Sequence, residues 1–255
     1  MPSLPPAILF DLDDTIVAYD AAAEGCWLAA CQQHAARLPG VPMDALQDAI
    51  RRKSDWFWSD AERFRQGRLN LAEARRQVLC AALESLGATD TSVAAEIARL
   101  RTEMHEARIA PFPGAIDVLQ QLRDGGVRMG MITNGSSEKQ RAKILRHSLE
   151  PFFDCIVIEG EFGCGKPDER VFRHALARLG VSPADTWMVG DNLHHDIAPA
   201  QALGISGIWH DFRGQGLPAD APCRPRGIIR RLEELPSCIR NIFSKVDDAP
   251  VNSLS

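Results

Sequence analysis

The stretch Ile8-Leu9-Phe10-Asp11-Leu12-Asp13-Asp14-Thr15 decides how this chain of 255 residues is read. An apolar run with the character of a buried strand ends abruptly in Asp11, Asp13 and Asp14. Carboxylates this close repel one another and resist burial. They are accommodated at the carboxyl end of a parallel strand, beside a hard cation such as Mg2+. An acidic turn is the alternative reading of the octamer taken alone.

Outward from this strand the pattern changes. From Tyr19 to about Arg108 nearly every segment has helical spacing. Asp20 is placed to start a helix that Pro39-Gly40 breaks. A second is expected from Asp44 to Arg65, with an interruption near Trp58 left open and Gly67 as its end. A third runs from Leu69 to Leu86, stopped by Gly87. A fourth starts at Thr89 or Asp90 and carries Val93, Ile97, Leu100 and Met104 on one face. Four consecutive helices after a single strand describe an inserted helical cap, not a strand-to-strand crossover.

At Pro111-Phe112-Pro113-Gly114 an alternation of strands and helices begins. Strands are expected over 127–133, 154–158, 186–190 and 205–209, with helices between them, and a last short strand over 226–229. A closing helix over 232–242, broken at Pro236, precedes a tail from Ser244 that is expected to be disordered. The fold predicted is α/β: a Rossmann-like, doubly wound parallel sheet carrying an all-helical cap. Its boundaries are core 1–17, cap 18–108, core 109–243 and tail 244–255.

Composition narrows the function classes. The 29 Lys and Arg are interspersed with 34 Asp and Glu, for a formal net charge of -5. That balance argues against a nucleic-acid polymer or an anionic membrane as partner, and leaves room for a small phosphorylated molecule. No apolar run approaches a membrane span, and the first residues lack the features of a signal peptide. Seven cysteines without metal-binding spacing are expected to be reduced thiols of a cytoplasmic protein. Oligomeric state is not legible.

Four strand ends carry polar residues where the apolar run stops: Asp11 and Asp13, Thr133 and Asn134, Lys166 after a loop, and Asp191 with Asp196. In a parallel sheet such ends converge on one crevice. Carboxylates, one hydroxyl and one lysine together suit a Mg2+ site that handles a phosphoryl group. The motifs Asp11-Leu12-Asp13-Asp14-Thr15, Thr133-Asn134, Lys166-Pro167-Asp168 and Gly190-Asp191-Asn192-Leu193-His194-His195-Asp196 occur in this order. The chain thereby resembles the haloacid dehalogenase-like hydrolases, in the subfamily whose helical cap follows the first strand. The resemblance covers about residues 6–243; the cap matches in kind and position only.

The resemblance implies a phosphatase with a covalent route. Asp11 is the implied nucleophile. Asp13 is the implied acid and then base, with crowding by other acids expected to favour its proton, and its main-chain carbonyl is implied as a Mg2+ ligand. Thr133, the Asn134 backbone and Lys166 are implied to hold the phosphoryl group. Asp191 is implied to ligate the metal through its side chain; Asp196 is implied either to ligate it too or, by preference, to stand behind it, orienting a metal-bound water or Lys166. An acid two residues after the nucleophile favours phosphatase over dehalogenase, because a halide needs no proton to leave. A phosphomutase and a non-catalytic regulator remain the other readings. His194, His195 and His210 suggest zinc, a reading disfavoured by the carboxylates. In the cap, Trp56-Phe57-Trp58 cannot all face one way. Packing is the plain reading; the sharper one has Trp56 or Trp58, with Arg63 and Tyr19, contacting substrate.

Overall fold

The computed structural model describes residues 4–23, 25–88 and 91–247. The chain divides into two units, one formed by residues up to Ala18 and from Ala110 on, the other by Tyr19–Ile109.

The first unit is built on β1 (Ala7–Phe10). All four of its residues are fully buried, so both faces of the strand are covered by protein, as in a central parallel strand. Seven residues further on, β2 (Val17–Ala18) pairs antiparallel with β3 (Ala110–Pro111), and this small ribbon brackets the chain's exit and return. The main sheet adds β4 (Arg128–Thr133), β5 (Cys155–Ile158), β6 (Thr186–Gly190), β7 (Ser206–His210) and β8 (Gly227–Ile229). Its order is β5-β4-β1-β6-β7-β8, and every pair is parallel. Strand order therefore reverses at β1, whose two neighbours are β4 and β6. The crevice at the carboxyl ends of these three strands is where such sheets bind ligands.

One face of the sheet is covered by the helix Glu169–Leu179, whose Val171, Phe172, Ala175, Leu176 and Leu179 pack with Leu9, Ile132 and Val157. Burying a side chain such as Phe172 is worth about 1.5–3 kcal/mol. Asp168 caps this helix by accepting from the Arg170 N–H at 3.0 Å, and Gly180 closes it with φ 63°. The start of that helix fixes the loop that presents Lys166. The last helix runs unbroken over Leu235–Asp247, which corrects the expected break at Pro236 and the onset of a tail at Ser244. Pro236 falls in the first turn, where its missing N–H would have had no intrahelical partner. The remainder of the expected tail, from residue 248, lies outside the described residues.

Every secondary-structure element among the described residues of the second unit is a helix, the long ones being Met43–Trp58, Leu71–Ser85 and Ala94–Arg108. The interruption near Trp58 is real. Asp60 caps a new helix, Ala61–Leu69, by accepting from the Arg63 N–H at 2.8 Å. Gly67 does not end that helix. It lies within it, packed so closely that a Cβ there would meet the Phe57 ring at 2.7 Å. The expected start of the last helix, Thr89 or Asp90, lies outside the described residues; Ile97, fully buried, leads its inner face.

Candidate active site

Asp11 follows β1 directly, and its N–H donates to the Val189 carbonyl of β6 at 2.9 Å. The backbone is thus locked to the neighbouring strand at the point where the side chain enters the crevice. Lys166 Nζ lies 2.6 Å from Asp11 Oδ1 and 2.6 Å from Asp196 Oδ1. Asn134 holds the lysine's own backbone from both sides: its Oδ1 accepts from the Lys166 N–H at 2.7 Å and its Nδ2 donates to the Lys166 carbonyl at 2.8 Å. Gly165 has to be glycine for this approach, since a Cβ would stand 2.4 Å from Asn134 Oδ1. The sequence reading placed Asn134 as a backbone phosphate contact; in the structure its side chain is the clamp that sets Lys166.

Asp191 and Asp196 come from the turn after β6. Trp209 of β7 donates its indole N–H to the Asp191 carbonyl at 2.7 Å. Asn192 accepts the N–H groups of His194 and His195, each at 3.0 Å, shaping a π-helical turn over Leu193–Ile197 that leads into the helix Ala198–Ala202. That turn brings Asp196 back, where its Oδ2 accepts the Asn192 N–H at 2.9 Å. A Cβ at Gly190 would come within 2.4 Å of the Asp196 carboxyl group, so the strand must end on a bare backbone.

Asp11, Asp191 and Asp196 each offer a carboxylate oxygen within 4.8 Å of the others. Burial is the largest influence on Asp11; opposed by Lys166 and reinforced by Asp196 and Asp13, it pushes the carboxyl up to about 7. Burial, then Asp196, Asp11 and Asp14, push Asp191 up to about 10. Burial pulls the Lys166 ammonium down, but Asp11 and Asp196 outweigh it and hold the group above its ordinary value. Three carboxyl groups therefore share one ammonium, and the upward shifts of Asp11 and Asp191 express a shortage of positive charge around them. An all-oxygen donor set short of positive charge fits a hard divalent cation. The three histidines do not gather with it: His194 is exposed, and His210 is buried with Nδ1 donating to the Asp14 carbonyl at 2.9 Å. Among the described residues the only cluster with metal-holding geometry is the aspartate one.

Asp13 stands apart from that cluster. Its direct partners are Lys143, with Nζ 2.5 Å from both carboxylate oxygens, and Gln140, with Nε2 3.0 Å from Oδ2. Beside the expected neighbouring acid Asp11, a cation and an amide thus hold the Asp13 carboxyl group. Gln140 also reaches Thr133 Oγ1 at 2.5 Å and the Asn134 carbonyl at 2.7 Å. Neither Gln140 nor Lys143 stood out in the sequence. The available signal was their spacing of three residues in the helix Ser137–Arg146, which puts both on one face with buried Ile144. Asp14 adopts φ 57° and donates its N–H to the Val17 carbonyl at 2.7 Å, turning the chain toward β2.

The cap residues proposed for substrate contact separate. Phe57 is buried, and Trp58 packs on the cap core and edge-on against Phe64. Trp56 is 49% exposed, and the Arg63 guanidinium lies 4.1 Å over its ring while donating to the Trp56 carbonyl at 2.8 Å. The Tyr19 hydroxyl accepts from Arg75 at 3.2 Å, and its ring meets His105 edge-on at 4.4 Å.

The family profile of the haloacid dehalogenase-like hydrolases matches residues 5–204, and the chain belongs to that family. The glyceraldehyde 3-phosphate phosphatase of Methanocaldococcus jannaschii is 38% identical over 141 residues, which are 54% of this chain and 61% of that protein. The chain thus matches less than two thirds of that curated relative's length. Among solved structures, the magnesium-bound HAD-hydrolase YfnB of Bacillus subtilis superposes with a TM-score of 0.72 at 23% identity, over 92% of this chain and 98% of that one. A 2-haloacid dehalogenase of Pseudomonas syringae superposes with a TM-score of 0.61 at 29% identity, over 93% and 99%.

Proposed function

We propose that this protein hydrolyses phosphate monoesters of small metabolites, with Mg2+ held by Asp11, Asp191 and the Asp13 carbonyl, and Asp196 behind them. A cytoplasmic location belongs to the same proposal, supported by seven cysteines free of disulfides. The observation that carries the reading is the second carboxylate, Asp13, separate from the metal-type cluster and linked through Gln140 to Thr133. A dehalogenase has no use for such a group. The phosphatase relative adds support.

The residues divide the work as follows. Asp11 attacks phosphorus with a carboxylate oxygen; the P–O bond to the ester oxygen breaks, and its electron pair leaves with that oxygen. Asp13 supplies the proton that turns the leaving alkoxide into an alcohol. The Thr133 hydroxyl and the Lys166 ammonium hold the transferring oxygens. Mg2+, when bound, offsets the negative charge that would otherwise keep the phosphate dianion from Asp11. Asp13, now a carboxylate, then takes a proton from water as the water oxygen attacks the aspartyl phosphate. The bond between phosphorus and Asp11 breaks, releasing inorganic phosphate and restoring both carboxyl groups.

The test is a phosphate-release panel with Mg2+ present, including glyceraldehyde 3-phosphate, run beside 2-chloropropionate with halide detection. Phosphate release that Asp11→Asn abolishes for every ester is the expected result. Halide release without phosphate release would overturn the reading. Asp13→Asn is expected to slow alkyl esters by roughly 10²–10⁴-fold and to accumulate the phosphoenzyme. A free phosphate ion should appear after each turnover; retention of a bisphosphate would indicate a mutase.

A further inference from the structure

The helix Ser137–Arg146 sends two polar side chains inward, and both end on Asp13. Lys143 spans the two carboxylate oxygens at 2.5 Å each. Gln140, only 2% exposed, touches one of them, and the same amide nitrogen reaches Thr133 and the Asn134 carbonyl. An amide nitrogen carries two hydrogens, so three acceptors are gathered around two protons. The proton-transfer group and the phosphoryl-holding hydroxyl are thereby tied to a single point.

We propose that Lys143 is a positioning residue for the acid–base step, fixing the plane of the Asp13 carboxylate with Gln140 as the second point of the clamp. This rests on the phosphomonoesterase reading above. Rotation of a carboxylate about its last bond is broad and poorly restrained. A cation bridging both oxygens and a donor on one of them remove that freedom. Proton transfer depends steeply on such placement; an error of about 1 Å can cost on the order of 10²-fold. The Asp13 side chain is 26% exposed, and an ion pair that reaches water contributes little to stability. Lys143, at 12% exposure, nonetheless keeps its ammonium inward where its flexible stem permits escape to solvent.

The experiment compares para-nitrophenyl phosphate, whose leaving group needs little help, with the alkyl ester that ranks first in the panel. Single-turnover alcohol release is followed in Lys143→Met, Lys143→Gln and Lys143→Arg, all with saturating Mg2+. Lys143→Met is expected to slow the alkyl ester by about 10²-fold and the aryl ester by only a few-fold, at nearly constant KM. Lys143→Gln carries the same comparison should the methionine variant fail to fold. Lys143→Arg, which can bridge both oxygens, should recover most of the rate. In the Asp13→Asn background Lys143→Met should add no further loss, since it acts through the missing group. Equal slowing of both esters, a rise in KM alone, or losses that multiply with Asp13→Asn would overturn the inference. Those outcomes leave the phosphatase reading standing, whereas absence of phosphate release by the wild type overturns that reading itself.

Discussion

Lys166 and Asp196 form an ion pair 2.6 Å long, with side chains only 2% and 1% exposed. A pair this deeply buried depends on complete hydrogen bonding to offset the loss of water. Asp196 achieves it by giving one oxygen to Lys166 and the other to the Asn192 N–H. Asp196→Ala leaves Lys166 paired with Asp11 alone and the Asn192 N–H without its acceptor, and should therefore destabilise the protein by about 1–3 kcal/mol, the usual consequence of stranding a partly buried donor. Urea unfolding measures it; a change below 1 kcal/mol would mean that water replaces the carboxylate.

Gly190→Ala acts on the same pair from behind. The added Cβ would fall 2.4 Å from the Asp196 carboxyl group, and the strand backbone has no room to retreat between β1 and β7. The expected outcome is a turnover loss of at least 10-fold, because displacing Asp196 moves Lys166. A variant with wild-type kinetics would show that the turn after β6 is free to shift.

Metal removal tests the aspartate cluster as a cation site through stability as well as turnover. Dialysis against a chelator should abolish phosphate release and lower the melting temperature, and Mg2+ should restore both. A ligand at 100 times its Kd stabilises a protein that binds it only when folded by about 2.7 kcal/mol. Asp191→Asn should remove the Mg2+-dependent shift in melting temperature. Persistence of that shift would place the cation elsewhere.

Trp56 and Trp58 should behave differently. Trp58 belongs to the cap core, where a Cβ at Gly67 would already touch its ring at 3.0 Å. Trp58→Ala is expected to destabilise by about 2–4 kcal/mol, as large-to-small changes in packed regions do. Trp56 lies half exposed under Arg63, so Trp56→Ala should alter stability by no more than about 0.5 kcal/mol. Its expected effect is on the ranking of substrates, read as kcat/KM across the phosphate panel. Unchanged ranking would leave Trp56 a surface residue.

The sequence by itself determined the sheet, the inserted helices and the acid-bearing strand ends. Apolar runs that stop at Asp11, Thr133 and Asp191 are local signals, and parallel strands bring their carboxyl ends together without further information. Lys166 was legible for the same reason, as a polar residue on a glycine-flanked loop before a capped helix. What only the tertiary structure decided is how those groups are held. Ser137–Arg146 reads as a basic helix, and nothing local directs Lys143 to Asp13, 130 residues earlier, or Gln140 to the same carboxylate. The π-helical turn that returns Asp196 to Lys166 and the burial of Gly67 within a helix were hidden likewise. Each depends on a close approach between surfaces that meet only after the chain has folded, and hydrophobic periodicity carries no record of such a meeting.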